Sequence, residues 1–410
     1  MRKIFTSLDI GSNTIKVVVG EFVNNKLNIL SAIKVKSRGY VNNYILDKEA
    51  LINQIKEAIS KTEEELNIKI RKVILNIPTY NLDFKLTDGR IDIENDTVSS
   101  NDIVRLLQDV SKNKIEPKNE LICTLPIIFK VDDEETNHPF GKRGNILSVK
   151  SIIVSTDKKT LYDLASIVSE CNLDIIDITT TGLVDYYNFK SKELDTKNIA
   201  IINLGSTTTN ISIYSKGIFI NNKVIDDGGF YIDKEIASNY NLKRNETEYL
   251  KEKLALAVIN NAEEKETITL TNKNGEEITI NQYELTKIVS EKMDNLLKVI
   301  KKNINLLTKK EISYIIITGG LSEIKDINLL INKIFNKNGK IGKINNLGAR
   351  DNSYSVALGM LKYFNSKLLL RNKDFSSLSE EEIDAMCTIS EKNTSKNSLI
   401  SKVVGYFFDD

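Results

Sequence analysis

Residues 7–20 read Ser-Leu-Asp-Ile-Gly-Ser-Asn-Thr-Ile-Lys-Val-Val-Val-Gly, and Asp9, Gly11, Ser12, Thr14 and Lys16 among them are residue types suited to holding phosphate. A turn after Ile10 presents several N–H groups in succession, and with the Ser12 and Thr14 hydroxyls and the Lys16 ammonium these can cradle phosphate oxygens. Asp9, just ahead of the turn, is placed to hold a water on a divalent cation. Gly11 is expected there because it can take a backbone shape that other residues resist. A plain hairpin with a polar tip accounts for the same residues without a ligand, since short glycine motifs recur by chance.

The design recurs. Residues 198–214, Asn-Ile-Ala-Ile-Ile-Asn-Leu-Gly-Ser-Thr-Thr-Thr-Asn-Ile-Ser-Ile-Tyr, again give an apolar strand, a glycine and hydroxyl turn, and a second strand. Two such hairpins can face each other across a cleft, so the repeat is more informative than either copy. A third stretch, Tyr314 to Leu321, runs as a buried strand into Gly319-Gly320, which lets backbone come close to a flat ligand such as a nucleoside. A bare strand-to-helix turn would leave the same trace. His138, the only histidine, sits in Asn-His-Pro-Phe-Gly with no nucleophile or carboxylate partner apparent, and reads as a turn residue rather than a general base.

The elements that position these turns follow from periodicity. Strands are predicted over Ile4–Ile10, Ile15–Gly20 and Lys26–Lys36, then an amphipathic helix over Asp47–Leu66 with Leu51, Ile52, Ile55, Ile59 and Leu66 near helical spacing, then a strand Val73–Ile77 closed by Pro78. Strands followed by helix and strand suit an α/β domain. The texture changes between Tyr80 and Val154, where a short helix after 99–102 and strands Leu121–Val131 and Ile146–Val154 read as an inserted small α/β unit. The first domain resumes with a helix from Lys158 and a strand Asp174–Ile178. A second insertion lies between Gly228-Gly229 and Tyr314, and ends in a long helix from Gln282 to Leu307 carrying Lys287, Lys292, Lys298, Lys301 and Lys302. A solvated basic face is the plainest account of those lysines.

At 410 residues the chain is long for one core, and its 28% charged and 41% hydrophobic residues suit a globular protein. Lys and Arg at 57 nearly cancel Asp and Glu at 56, which gives no reason to expect nucleic acid as a partner. Cys123, Cys171 and Cys387 are far apart and without CxxC spacing, so neither a disulfide framework nor a zinc site is expected. The start enters a strand at once without a signal-peptide pattern, and no apolar run is long enough to cross a bilayer; a cytoplasmic protein is expected. Residues 366–397 are mostly polar and read as a flexible linker. Beyond it Leu399, Ile400, Val403, Val404 and Phe407 recur at helical spacing, a candidate membrane-surface anchor.

In that order and at those intervals, the two hairpins and the diglycine strand resemble the phosphate-1, phosphate-2 and adenosine motifs of the actin-like ATPase superfamily, and within it the FtsA family of bacterial cell-division proteins. The discriminating stretch is Leu125-Pro126-Ile127-Ile128-Phe129-Lys130-Val131-Asp132 followed by His138-Pro139-Phe140-Gly141-Lys142-Arg143-Gly144, similar to the signature of that family's 1C subdomain. Thr318-Gly319-Gly320, Tyr354-Ser355-Val356-Ala357-Leu358-Gly359 and the terminal helix add to it. The resemblance implies an actin-like two-lobed α/β fold around an ATP and Mg²⁺ cleft, divided as 1–80 for 1A, 81–155 for 1C, 156–197 for the rest of 1A, 198–230 for 2A, 231–310 for 2B, 311–365 for the rest of 2A with a return to 1A, 366–395 for a flexible linker and 396–410 for an amphipathic membrane-targeting helix. It implies a 1C subdomain that meets neighbours in filaments, a 2B subdomain that receives the C-terminal peptide of FtsZ with Lys292 as a contact, and a tail that tethers the FtsZ ring to the inner face of the cell membrane. Carried over by position, Asp9, Gly11, Ser12, Asn13, Thr14 and Lys16 fall on the first phosphate loop, Asn203, Gly205, Ser206, Thr207 and Thr208 on the second, Gly319 and Gly320 on the nucleoside strand, and Glu248 and Lys251 on a Glu-x-x-Lys helix near the ribose.

The chain also departs from the pattern. The second loop usually begins with Asp, here Asn203, and the family's later Asp is Asn210. A lost carboxylate removes a charge that would hold the metal's water shell, so a nucleotide-binding protein with at most weak ATPase activity is expected, and Asn203→Asp is expected to strengthen Mg²⁺-dependent binding. Lys396 and Lys402 are the basic residues near the tail helix, which ends in Asp409-Asp410; at about 1 kcal/mol per basic residue, attachment is expected to need many copies. Two other readings share the first motif or the fold: a phosphohydrolase resembling exopolyphosphatases and guanosine pentaphosphatases, and a pilus-assembly scaffold of the PilM type. The former lacks its acidic residue after the second turn, where Thr208-Thr209-Asn210 stand, and the terminal helix has no place in the latter.

Overall fold

The computed structural model of the protein describes residues 2–112 and 114–383. The first lobe opens with β1 (Lys3–Ile10), β2 (Thr14–Val23) and β3 (Lys26–Lys36), an antiparallel meander. A short ribbon comes next, β4 (Tyr40–Val41) with β5 (Tyr44–Ile45), and then α1 (Lys48–Leu66). Asp47 caps α1 by accepting from the Ala50 N–H, Asn67 closes it in a left-handed conformation, and Leu51, Ile55, Ala58 and Ile59 are buried on one face, as the spacing predicts. The next strand, β6 (Lys72–Ile77), pairs parallel with β1.

The first insertion comprises β7 (Asp83–Asp92), α2 (Ser100–Asp109), β8 (Asn119–Val131), β9 (Glu134–Thr136) and β10 (Ile146–Asp157). Its four strands form a separate sheet in the order β7-β10-β8-β9, with its own small core around Leu106, Phe129 and Leu147. The chain returns through α3 (Lys158–Glu170) to β11 (Asp174–Thr180), which completes the five-stranded order β11-β6-β1-β2-β3.

Helix α4 (Thr181–Phe189) crosses to the second lobe, which begins β12 (Asn198–Leu204), β13 (Thr209–Ser215) and β14 (Ile218–Ile225). Helices α5 (Gly229–Tyr240) and α6 (Arg244–Leu254), the ribbon β15 (Thr267–Thr271) with β16 (Glu277–Asn281), and α7 (Gln282–Leu307) succeed them. Then come β17 (Tyr314–Thr318), α8 (Ile327–Phe335) and β18 (Gly339–Ile341). The sheet order β14-β13-β12-β17-β18 repeats the first lobe's design, an antiparallel meander whose first strand also carries parallel neighbours. The repeat seen in sequence is therefore a repeat of fold.

Helix α9 (Ser355–Leu370) brings the chain back to the first lobe, where Met360, Leu361 and Phe364 join the core built on β1, β2 and β6. The chain does not pass into a linker at residue 366. Helix α9 continues to Leu370, Phe375 stacks on Phe5, the Ser377 N–H donates to the Ile4 carbonyl, and Leu378 and Ile383 are buried, so residues 366–383 belong to the first lobe. A few well-placed apolar side chains in a polar run, with one backbone hydrogen bond, are enough to dock the chain against the start of β1. The membrane residues Leu399, Ile400, Val403, Val404 and Phe407 lie outside the described residues.

Candidate functional site

The two hairpins meet across a cleft between the lobes, a cavity of about 760 Å³ lined by both turns and by Gly319 and Gly320. Each turn closes in the same way: the Gly11 N–H donates to the Thr14 carbonyl at 3.1 Å, and the Gly205 N–H to the Thr208 carbonyl at 3.0 Å. Glycine is required here for a different reason from the one the sequence suggests. Neither turn glycine is in the left-handed region, but a Cβ on Gly205 would stand 2.7 Å from the Thr208 carbonyl oxygen, close enough to exclude a side chain, and one on Gly11 would stand 3.0 Å from the Thr14 carbonyl oxygen, which would have to give by a few tenths of an ångström. At Gly319 both reasons hold, with φ +90° and a Cβ that would meet the Leu204 carbonyl oxygen at 2.5 Å.

The turns touch. Thr207 Oγ1 donates to Ser12 Oγ at 2.9 Å, and Ser12 Oγ also accepts from the Asn42 N–H between β4 and β5 at 3.2 Å. Behind the first turn Asp9 and Lys16 face each other in register, Lys16 Nζ lying 3.1 Å from Asp9 Oδ2, and both are buried. Asn76, at the end of β6, donates to Asp9 Oδ1 at 3.2 Å and to Thr181 Oγ1 at 3.1 Å. The corresponding register pair in the second hairpin is Asn203 and Asn210. Asn203 donates to Asp185 Oδ2 at 2.8 Å, and Asp185 Oδ1 accepts from Ser355 Oγ at 2.5 Å. Burial pushes the Asp185 carboxyl up to about 7, Asp9 adds to the rise, and the Ser355 and Asn203 hydrogen bonds oppose it.

The two named residues of the Glu-x-x-Lys helix separate. Lys251 lines the cleft, its ammonium 2.6 Å from Asp233 Oδ1. Glu248 is buried and is not among the residues lining the cleft, and its carboxylate takes an ion pair from Lys36 of β3 and another, at 3.1 Å, from Arg244, whose guanidinium also reaches Asn13 Oδ1 at 3.1 Å. Burial works against the Glu248 charge, but Lys36 and Arg244 outweigh it and hold the carboxyl below the usual range. Lys292 is not among the residues lining the cleft and pairs with Glu235 of α5 at 2.9 Å. The other lysines of α7 are partly engaged too, Lys298 with Asp294 and Lys301 with the Ile334 carbonyl. His138 is exposed in a turn, its N–H bonded to Thr136 Oγ1.

Sequence reasoning missed Lys36, Asn76, Asp185 and Arg244. Only Asn76 carried a usable signal: it ends a strand parallel to β1, and ligands bind outside the carboxyl ends of parallel strands. Among the described residues no cluster of three or more His, Cys, Asp or Glu side chains could hold a metal directly. Three features suit a hydrated cation instead. Asp9 supplies one carboxylate, and the carbonyl oxygens of Asn76 and Asn210, both residues of the cleft wall, are buried without a hydrogen-bond partner. Mg²⁺ keeps several of its waters when it binds beside phosphates, and such oxygens can accept from those waters.

The family model described as cell division protein FtsA matches residues 200–359, and that described as the SHS2 domain inserted in FtsA matches residues 81–155. The chain is similar to the cell division protein FtsA of Bacillus subtilis, 24% identical over 88% of this chain and 83% of that one. It is similar to the FtsA of Streptococcus pneumoniae, 23% identical over 88% of this chain and 79% of that one. Among solved structures it resembles a PilM–PilN type IV pilus biogenesis complex, with a TM-score of 0.58 at 12% identity over 87% of this chain and 97% of that one. It also resembles MreB5 of Spiroplasma citri bound to ADP, with a TM-score of 0.54 at 16% identity over 90% and 99%. These structural likenesses establish the fold, which is actin-like.

Proposed function

The chain belongs to the family of the cell division protein FtsA, and from that premise we propose that it binds ATP between its lobes, forms filaments of its own kind and links FtsZ to the inner face of the cell membrane at the division site. The observation that carries the nucleotide reading is the 2.9 Å contact of Ser12 with Thr207, which brings two glycine turns rich in N–H and hydroxyl donors together in the cavity that Gly319 also lines. Phosphate oxygens there would accept from both turns. They would also draw Lys16 off Asp9 and free that carboxylate for the water shell of an accompanying Mg²⁺, which the cleft suits as an outer-sphere guest. With Asn203 and Asn210 in place of carboxylates, the wall lacks the charge that would activate an attacking water, so nucleotide is held more than it is turned over.

The remaining parts of this reading rest on the family. The inserted sheet of residues 81–155 is the surface for neighbours in a filament, the helical block of 231–310 with Lys292 receives the FtsZ C-terminal peptide, and residues 396–410 anchor the assembly. No helix among the described residues is long and apolar enough to cross a membrane, so a peripheral attachment through the tail is the economical one. The phosphohydrolase and pilus-scaffold readings are not favoured by the family matches.

Two experiments test the proposal. Calorimetric titration with MgATP should show binding in the parent and at least tenfold weaker binding in Lys16→Ala; equal affinity would mean the cleft is assigned wrongly. A fluorescently tagged copy should gather at midcell only while FtsZ is present, and a diffuse signal during normal division would refute the tether.

A further inference from the structure

The second hairpin is a neutral copy of the first: where Asp9 faces Lys16, Asn203 faces Asn210. An amide side chain donates at one end and accepts at the other, so what Asn203 offers the cleft depends on which way it is turned. Asp185, buried on α4 behind the strand, settles the orientation. Its carboxylate can only accept; Ser355 Oγ donates to Oδ1 at 2.5 Å, and Asn203 Nδ2 is drawn to Oδ2 at 2.8 Å. The amide nitrogen is thereby committed to α4. Asn203 Oδ1 is left on the side of Gly319, where a Cβ would stand 2.6 Å from it, at the place where the nucleoside strand meets the second turn. Asn210 is turned alike: its Nδ2 donates to Ser212 Oγ at 2.8 Å, and its Oδ1 is buried on the cleft wall without a partner.

We propose that Asp185 is a positioning residue that holds Asn203 with its carbonyl oxygen toward the cleft, where that oxygen and Asn210 Oδ1 accept hydrogen bonds from the water shell of a nucleotide-bound divalent cation. The inference rests on the proposed nucleotide reading of the cleft. It replaces the simple expectation for Asn203→Asp. A carboxylate at 203 would face the Asp185 carboxylate at hydrogen-bond distance, and two like charges so close cannot both stay ionised; one would take up a proton, and the cleft would gain little charge. Exchanging the two residues avoids the conflict, because an amide at 185 can donate to a carboxylate at 203 and leave its charge to the cleft.

The test is ATP binding by the full chain, titrated calorimetrically once with Mg²⁺ and once with EDTA; the ratio of the two affinities is the readout. The parent should bind more tightly with Mg²⁺. Asp185→Leu, which removes the acceptor, should bind ATP in EDTA within twofold of the parent and lose at least fivefold of the Mg²⁺ gain. The exchanged variant Asp185→Asn/Asn203→Asp, which keeps the buried hydrogen bond and so the local packing should Asp185→Leu fail to fold, should show a Mg²⁺ gain at least equal to the parent's, while Asn203→Asp alone should not. An unchanged ratio in Asp185→Leu, or an exchanged variant with a gain below the parent's, would overturn the role of Asp185. A parent that binds no ATP in either buffer would instead overturn the nucleotide reading itself.

Discussion

Lys36 of the first lobe and Glu248 of the second are ion-paired between the lobes, and Arg244 extends the link from Glu248 to Asn13 on the first glycine turn. Together with the Thr207–Ser12 hydrogen bond this ties the lobes at two separate places. The Lys36 side chain is 56% exposed, so the pair is worth at most about 1 kcal/mol. That is too little to matter for overall folding but enough to change the rate of opening several-fold.

Lys36→Met should therefore release a fluorescent ATP analogue about two- to fivefold faster than the parent in stopped-flow displacement, with a difference that shrinks as salt is raised. Unfolding temperatures of the two proteins should agree closely. Identical release rates at low salt would show that the link does not restrain the cleft.

Asp185 predicts a pH signature in stability. Its folded carboxyl titrates near 7 against an ordinary 3.8, so between those values the folded state keeps a proton that the unfolded chain has lost. Stability from this group is complete below the unfolded value and falls as pH rises toward 7, by at most about 1.4 kcal/mol per pH unit, then levels off. Asp185→Asn removes the titration. Thermal denaturation at several pH values should show the variant gaining on the parent from pH 4 to 7, with a constant difference above; a difference independent of pH would contradict the buried ionisation.

For FtsZ, the relevant fact is that Lys292 already shares its charge with Glu235. Lys292→Glu would set two carboxylates side by side and disturb α5 against α7, so Lys292→Met is the cleaner change. In fluorescence anisotropy with a labelled FtsZ C-terminal peptide, it should weaken binding several-fold and reduce the salt dependence. Glu235→Gln, which frees Lys292, should tighten it. Unaffected titrations in both would return the helix to a plain solvated face.

The tail carries the membrane prediction. If the spacing of Leu399, Ile400, Val403, Val404 and Phe407 is that of a helix on the membrane surface, burying one such face at roughly 25 cal/mol per Å² would be offset in large part by the cost of winding a short peptide. Single molecules should bind weakly, and filaments presenting many tails strongly. Deleting residues 396–410, or changing Val403 and Phe407 together to Asp, should release the protein from anionic liposomes in co-sedimentation while ATP binding persists. Pelleting equal to the parent's would exclude the tail as the anchor.

Much of the fold was legible because its signals are local. The two turns, the diglycine after Tyr314–Thr318 and the helices α1 and α7 are each written in a few consecutive residues whose spacing fixes their backbone, and the resemblance of the second hairpin to the first predicted two sheets of one design. The partners of those residues were not legible. Lys36 and Glu248 lie 212 positions apart, Asp185 and Ser355 170 apart, and neither pair has a pattern that marks it, because their meeting depends on how two lobes and the crossing helices α4 and α9 close on one another. The same reason hid the end of the first lobe. Phe375, Leu378 and Ile383 stand in a polar run with no period to reveal them, and only their contacts at the start of β1, with the Phe5 ring and the Ile4 carbonyl, determine that the chain folds back there. Sequence alone determined which side chains could hold a nucleotide; tertiary structure decided which of them are already held by something else, and in the case of Asn203 which end of the side chain the cleft receives.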